Sequence, residues 1–340
     1  MMGIRTRGGN VKLDEVDRED ATVEVPLDPM LPIVDAHHHL WPPGYRIPYD
    51  LAAMAADVQR VPNIEASIFV ECMTSFRPSG DVALQPIGET EFIVSTTATS
   101  DTPAIAAGIV GWADLMEPDE VARTLEGHIE VGKGRFRGVR FNVVWHERVS
   151  SSHAGRTTTP HMLLDDGLRR SLRAVASRGL SYDVWLYHPQ LIELALTLDA
   201  VPELTCIVNH LGGPVPDDNT PKGRSAMFES WRHGLIELAR RPNVFLKIGG
   251  VGMPVYGFGF EGDTRPSSAV LAEAWRPYVD VAIEAFGPDR CLLESNFPVD
   301  KQSFSYDSLW NAFKLLTKNH SADERAALFA GTARRAYRLT

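Results

Sequence analysis

Eight short apolar runs, each followed by a stretch of helical pattern, constrain this chain more than any other feature. The runs fall at 33–39, 66–73, 107–115, 136–144, 180–187, 204–211, 244–248 and 291–297. Each is short, rich in Val, Ile, Leu and aromatic residues, and bounded by turn residues, which reads as a buried strand. Helical pattern covers 51–60, a stretch beginning at 89–96, 118–131, 164–178, 189–200, 225–240, 268–286, 306–318 and 322–337. Pro118 at a first turn and Gly179 after a last turn agree with those limits. Eight strand–helix units without a domain break or a repeat predict one (β/α)8 barrel, a TIM barrel, over residues 30–340. Residues 1–29 are polar and charged and are expected to form an N-terminal arm, either a strand or a wrap over the barrel base. A doubly wound open sheet is the alternative. It would want a glycine-rich phosphate turn after the first strand, and His37-His38-His39 stands there instead.

The chain's 340 residues suffice for such a barrel, and 44% hydrophobic against 23% charged residues is a soluble globular composition. With 34 basic and 44 acidic residues and no basic block, the net charge of -10 argues against nucleic acid and anionic membrane as partners. A small-molecule substrate is the expected partner, and self-association into a homo-oligomer stays open. Cys72, Cys206 and Cys291 lie far apart in apolar runs, as reduced thiols of a cytoplasmic protein would. Arg5 and Arg7 are not followed by an apolar segment, so no secretory signal is expected.

In a barrel of this kind the chemistry lies where the strands end. The first run ends on Asp35-Ala36-His37-His38-His39, closed by Pro42-Pro43-Gly44. Alternation puts His37 and His39 on one face, about 7 Å apart along the strand, with Asp35 beside them and His38 opposite. Two such imidazoles can grip one metal ion or one substrate. The other runs end on Glu71 and Cys72, Trp112 and Asp114, Arg140 and Asn142 with Trp145 and His146 beyond, Tyr187-His188, Asn209-His210, Lys247, and Glu294-Ser295-Asn296. His37, His39, His188 and His210 thus converge from three strand ends. Arg140 reads either as a salt-bridged barrel arginine or as a bidentate clamp for a substrate carboxylate. Glu294, one step deeper than Asn296, reads as a group that orients metal or substrate ligands. Trp145 and Tyr187 are candidate substrate contacts. The stretch 146–160, rich in Ser, Thr and Arg, reads as a functional loop or lid.

These residues resemble the amidohydrolase superfamily, in its amidohydrolase-2 branch of sugar lactonases and 2-pyrone-4,6-dicarboxylate lactonase. Asp-Ala-His-His-His-Leu-Trp at 35–41 is similar to the opening of that branch. Phe-Arg-Gly-Val-Arg-Phe at 136–141 and Asn-His-Leu-Gly-Gly-Pro at 209–214 resemble its fourth- and sixth-strand blocks. Leu-Phe-Ala-Gly-Thr-Ala-Arg-Arg-Ala-Tyr-Arg-Leu at 328–339 resembles its closing helix. The likeness runs from about residue 31 to the C-terminus. One departure stands out. The family motif Ser-Asp-Trp-Pro, whose Asp activates water, is here Ser295-Asn296-Phe297-Pro298, and an amide cannot take that proton. No carboxylated-lysine candidate accompanies Arg140 and Asn142, so a two-metal site is not expected.

The resemblance implies a hydrolase that opens a lactone or similar ester-type C–O bond in a small carboxylated or polyhydroxylated substrate. His37 and His39, with His188 as a third candidate, would hold one divalent ion, zinc by preference. Alternatively no metal is needed, and the histidines donate hydrogen bonds. His188 or His210 would position substrate or transfer protons, Arg140 would hold an anionic group, and Asn296 would orient water or substrate. Glu294, Asp300 or a histidine would replace the missing base. Decarboxylation or hydration on the same barrel, and a barrel that binds without turnover, are the competing readings.

Overall fold

The computed structural model describes residues 23–45, 48–98, 104–149, 157–262 and 264–339. The readings made for residues 1–22 of the arm and 150–156 of the loop lie outside them. Eight parallel strands pair in chain order: β1 (Ile33–His38), β2 (Ile64–Val70), β3 (Ala104–Trp112), β4 (Phe136–Arg140), β5 (Ser181–Val184), β6 (Thr205–Val208), β7 (Val244–Ile248) and β8 (Cys291–Leu293). The intervening helices are α1 (Leu51–Gln59), α2 (Ile87–Thr96), α3 (Val121–Val131), α4 (Asp166–Ala176), α5 (Leu191–Asp199), α6 (Pro221–Ala239), α7 (Ser268–Phe286) and α8 (Tyr306–Leu316). Local chemistry starts them: the side chains of Asp50, Asp165, Thr220 and Ser267 accept from backbone N–H groups of the first turns of α1, α4, α6 and α7. Among the described residues no helix is long and apolar enough to cross a membrane.

Several strands are shorter than the apolar runs that predict them. The regular strand within 136–144 ends at Arg140, with single backbone bonds from Phe141 N–H to Asp183 O and Val143 N–H to Trp185 O beyond it, and that within 291–297 ends at Leu293. The loops at the strand ends are themselves buried, so apolar character continues after the ladder stops. Side chains take over the backbone groups there: Gln190 accepts from Trp145 N and donates to Val143 O. The predicted closing helix 322–337 is divided into Ala322–Ala326 and Thr332–Ala336 by a π-helical stretch, Ala327–Gly331.

Two layers of apolar packing fix the frame. One lies between strands and helices. The other fills the barrel interior with Val34, Ala36, Ile68, Val70, Val110 and Ile207, and Tyr337 from the chain's end joins it. Arg334 pairs with Glu65, Arg335 with Asp289, and Arg338 donates to Arg137 O, all near strand beginnings. The C-terminal segment therefore plugs the mouth formed by the strand beginnings.

The seam between β8 and β1 closes the barrel beyond the regular ladder, by Asn296 N–H to His37 O and His39 N–H to Phe297 O, both 2.8 Å. Ser295 N–H donates instead to Asp35 Oδ1 at 2.8 Å, and Tyr306 O–H to Asp35 Oδ2 at 3.0 Å. Asp35 is thus not on the histidine face. In the β1–β2 register Asp35 faces Ser67 and His38 faces Phe69, with a shift between. Ala36 and His37 together oppose Ile68, a bulge that reverses the parity of the strand. After it His37 and His39 turn inward, and His38 packs on Phe69 with ring centroids 6.1 Å apart.

His128 on α3 is wholly buried, its Nδ1 2.8 Å from Thr90 Oγ1 and its Nε2 2.9 Å from Trp112 O. Burial lowers its pKa to about 4. The folded state therefore holds it neutral while the unfolded chain protonates near its ordinary value of 6.5. Its contribution to stability is whole above that pH and is lost as pH falls towards 4, up to about 3 kcal/mol in all. Melting temperature should fall between pH 7 and 5, and His128→Asn should flatten that dependence. An unchanged slope would contradict the assignment.

Candidate metal and catalytic centre

The inward turn of β1 brings His37 against side chains from four other strands or strand ends. Its Nε2 lies 3.3 Å from His39 Nε2 and 3.3 Å from Arg140 Nη1. Its Nδ1 lies 2.8 Å from Glu294 Oε2 and 3.4 Å from Lys247 Nζ. Glu294, beyond β8, also accepts through Oε1 from His210 N at 3.0 Å and from His210 Nδ1 at 2.8 Å. The ring centroids of His39 and His210 each lie 4.9 Å from that of His37. His39 Nδ1 is 2.7 Å from Val70 O, an acceptor only, so Nδ1 carries the proton and Nε2 faces His37 as a lone pair.

His37, His210 and Glu294 offer ligand atoms that all lie within 4.8 Å of one another. The donor set, two imidazoles and a carboxylate, suits zinc or a similar divalent ion. One observation goes further than proximity. Glu294 Oε2 is buried and has no hydrogen-bond donor among the described residues, although His37 Nδ1 is 2.8 Å away. Two ligand atoms in close approach with no proton aligned between them fit a shared cation. The electrostatics agree. Burial, then the charge of Lys247, holds His37 well below its ordinary pKa. Burial lowers His39 likewise, with Arg140 next, and lowers His210 against the opposing pull of Glu294. Burial would raise Glu294, but His210 and Lys247 outweigh it and keep the carboxyl below its usual range. The histidines are neutral and the carboxylate ionised, as ligands must be.

The remaining predicted residues are placed as follows. Arg140 directs Nε to Glu71 Oε1 at 2.6 Å and Nη2 to Glu71 O, so the edge that would clamp a carboxylate is occupied by Glu71. His188 stands at the end of β5, its backbone N–H on Gly213 O and its ring 6.5 Å from that of His146. Its buried Nδ1 has no partner among the described residues, and burial lowers its pKa to about 4. It is outside the His37–His210–Glu294 group. Tyr187 is buried, with its hydroxyl pKa raised by burial, and Trp145 is half-buried after β4. Asn296 takes a left-handed conformation, φ 55°, and its Nδ2 donates to Asp300 Oδ1 at 2.9 Å. Asp300 Oδ2 accepts from Gly252 N, and burial pushes the Asp300 carboxyl well up.

Three residues escape the sequence reading. Asp183 on β5 pairs with Lys247 at 2.8 Å, Tyr337 donates to Asp183, and the Trp185 ring stands edge-on to His210 at 5.7 Å. A lone acid in Ser-Tyr-Asp-Val and a lone base in Val-Phe-Leu-Lys-Ile, both inward by strand parity, are the signal for the first pair. Nothing local marks Tyr337.

Residues 34–339 match a family model described as amidohydrolase. An uncharacterized protein of Sinorhizobium fredii is 36% identical over 254 residues, which are 75% of this chain and 76% of the relative. An L-fucono-1,5-lactonase of Burkholderia multivorans is 28% identical over 257 residues, 74% of this chain and 77% of the relative. A crystal structure of an amidohydrolase from Burkholderia multivorans with bound zinc superposes with a TM-score of 0.66 at 23% identity, covering 91% of this chain and 100% of the other.

Proposed function

The chain belongs to the amidohydrolase family, and on that premise we propose that it opens a lactone ring, most directly that of a small sugar acid, by hydrolysis at the His37–His210–Glu294 centre. The observation that carries this reading is the cluster itself: three potential ligands within 4.8 Å, neutral imidazoles beside an ionised carboxylate, at the catalytic mouth of the barrel. The lactonase relative at 28% identity supports the substrate class. His37, His210 and Glu294 would hold a divalent ion, which when bound would supply Lewis acidity toward an ester carbonyl.

The chain's own residues supply the rest. His39, its proton fixed on Nδ1 by Val70 O, turns its Nε2 lone pair to His37 Nε2 at 3.3 Å and so holds the His37 ring in orientation. His188 offers a buried, neutral ring whose Nδ1 awaits a partner, which suits a group that orients a polyhydroxylated substrate. Asn296 is held by Asp300 so that its amide nitrogen is engaged and its carbonyl oxygen accepts a hydrogen bond without taking the proton. Arg140 contributes positive charge beside His37 while remaining tied to Glu71. Trp185 and Tyr187 wall the site with apolar surface and keep its dielectric low.

Acid release from a panel of sugar-acid and pyrone lactones, followed with a pH indicator on zinc-loaded and on chelated protein, tests the reading. Release above background that chelation abolishes and zinc restores is expected. A folded, zinc-loaded protein that releases acid from no lactone, or one that releases carbon dioxide from carboxylated aromatic acids instead, would overturn it.

A further inference from the structure

Among the described residues, a chain of polar contacts crosses the largely apolar barrel interior below the centre. Tyr337 Oη donates to Asp183 Oδ2 at 2.7 Å, Lys247 Nζ lies 2.8 Å from that same oxygen, and Lys247 Nζ lies 3.4 Å from His37 Nδ1. Asn209 Nδ2 adds a third donor to Asp183 Oδ2 at 3.2 Å, and the ammonium of Lys247 stands 5.5 Å from the centre of the Tyr337 ring. Asp183, Lys247 and Tyr337 are all fully buried. Stability alone does not account for this arrangement. A buried ion pair contributes little over well-packed apolar residues of similar volume, and Val34, Ile68, Val110 and Ile207 fill the surrounding interior. What the ion pair does that apolar residues could not is place a fixed positive charge against His37.

We propose that Tyr337, Asp183 and Lys247 form a polar strut through which the C-terminal plug sets the position of the His37 imidazole, making all three positioning residues for the centre. The geometry assigns each a part. Tyr337, anchored by a segment that grips the strand beginnings, fixes Asp183. Asp183, accepting three hydrogen bonds on one oxygen, fixes the Lys247 ammonium. Lys247 Nζ stands 3.4 Å from Nδ1 of His37, across the ring from the His39 and Arg140 contacts made by Nε2, and limits where the ring can lie by charge and contact, leaving the Nδ1 lone pair to the ion. None of the three touches substrate in this arrangement, because each lies inside the barrel beneath the histidines.

The inference rests in part on the metal-centre reading above, so its first readout is independent of metal. Ring-nitrogen NMR signals of 15N-histidine-labelled, metal-free protein would be compared between wild type and Tyr337→Phe, with the His37 signals identified by their loss in His37→Gln. The variant removes one hydroxyl and leaves the ring that fills the plug. The His37 signals should shift while those of His128, outside the strut, stay in place. In a chelator competition the variant should also bind zinc about 10–100-fold more weakly, the usual effect of losing a partner behind a ligand. A double variant, Asp183→Leu with Lys247→Met, removes both charges together and guards against misfolding from an orphaned ion. It should melt as wild type or higher and show the same shift of His37. Unmoved His37 signals in both variants would overturn the strut. Wild-type protein that binds no zinc, with His37 signals still shifting in the variants, would refute the metal reading and leave the strut standing.

Discussion

Glu294→Gln should lower lactone turnover by about a hundred- to a thousand-fold and weaken zinc binding by at least about a hundred-fold. The substitution is close to isosteric, so the barrel should fold. What it removes is the one carboxylate that holds two histidines at once, 2.8 Å from His37 Nδ1 and 2.8 Å from His210 Nδ1. A Gln carbonyl can still accept from His210. Its NH2 group would then face His37 Nδ1, and the only negative charge among the three candidate ligands would be gone. Lys247 and Arg140 would remain beside His37, each paired with its own carboxylate, Asp183 and Glu71, and neither of those reaches the ligand position. Initial rates and a chromophoric-chelator titration on the same preparation check the expectation. Wild-type turnover in the variant would remove Glu294 from the mechanism.

Gly250→Ala is expected to be as damaging, for steric reasons. Gly250 follows β7 at φ +65°, and a Cβ there would stand 1.8 Å from His210 Nδ1 and 2.5 Å from its Cγ. No side chain can occupy that space while His210 keeps its bond to Glu294. A left-handed backbone for Ala adds about 1 kcal/mol, and overpacking in a rigid interior commonly adds about 1–3 kcal/mol more. His210 must swing away or the loop must move, so zinc affinity and turnover should both collapse, with a lowered melting temperature. Gly249 is constrained from the other side, its Cβ position lying 2.3 Å from Glu294 O. The two glycines after β7 are therefore the clearance that lets His210 and Glu294 meet. Gly250→Ala with wild-type melting and zinc affinity would show that His210 is not held where this geometry places it.

The barrel was legible because burial on both faces makes a parallel strand an apolar run, and eight such runs with helices between admit few architectures. The limits of β7 and α7 could be read to the residue; those of β4 and β8 could not, because buried loop residues prolong the apolar signal past the last ladder bond. Strand ends alone suggested that His37, His39, His188 and His210 converge; the rings of His39 and His210 each lie 4.9 Å from that of His37, whereas His188 stands apart beside His146. The place of Asp35 did not, since a one-residue bulge between Asp35 and His38 leaves no mark in the residue types. Arg140 was readable as either a clamp or a paired arginine, and choosing between them needs the position of Glu71, 69 residues earlier. The Tyr337–Asp183–Lys247 chain joins three distant segments, and Tyr337 carries no periodicity or motif that points inward.

The most direct test of hydrolysis at this centre is the product mass. A lactone turned over by zinc-loaded wild-type protein would be analysed beside the same reaction with Glu294→Gln. The account predicts a product heavier than the lactone by one water from the wild type, and unconverted lactone from the variant. Equal conversion by the variant, or a product lighter by one carbon dioxide, would contradict it.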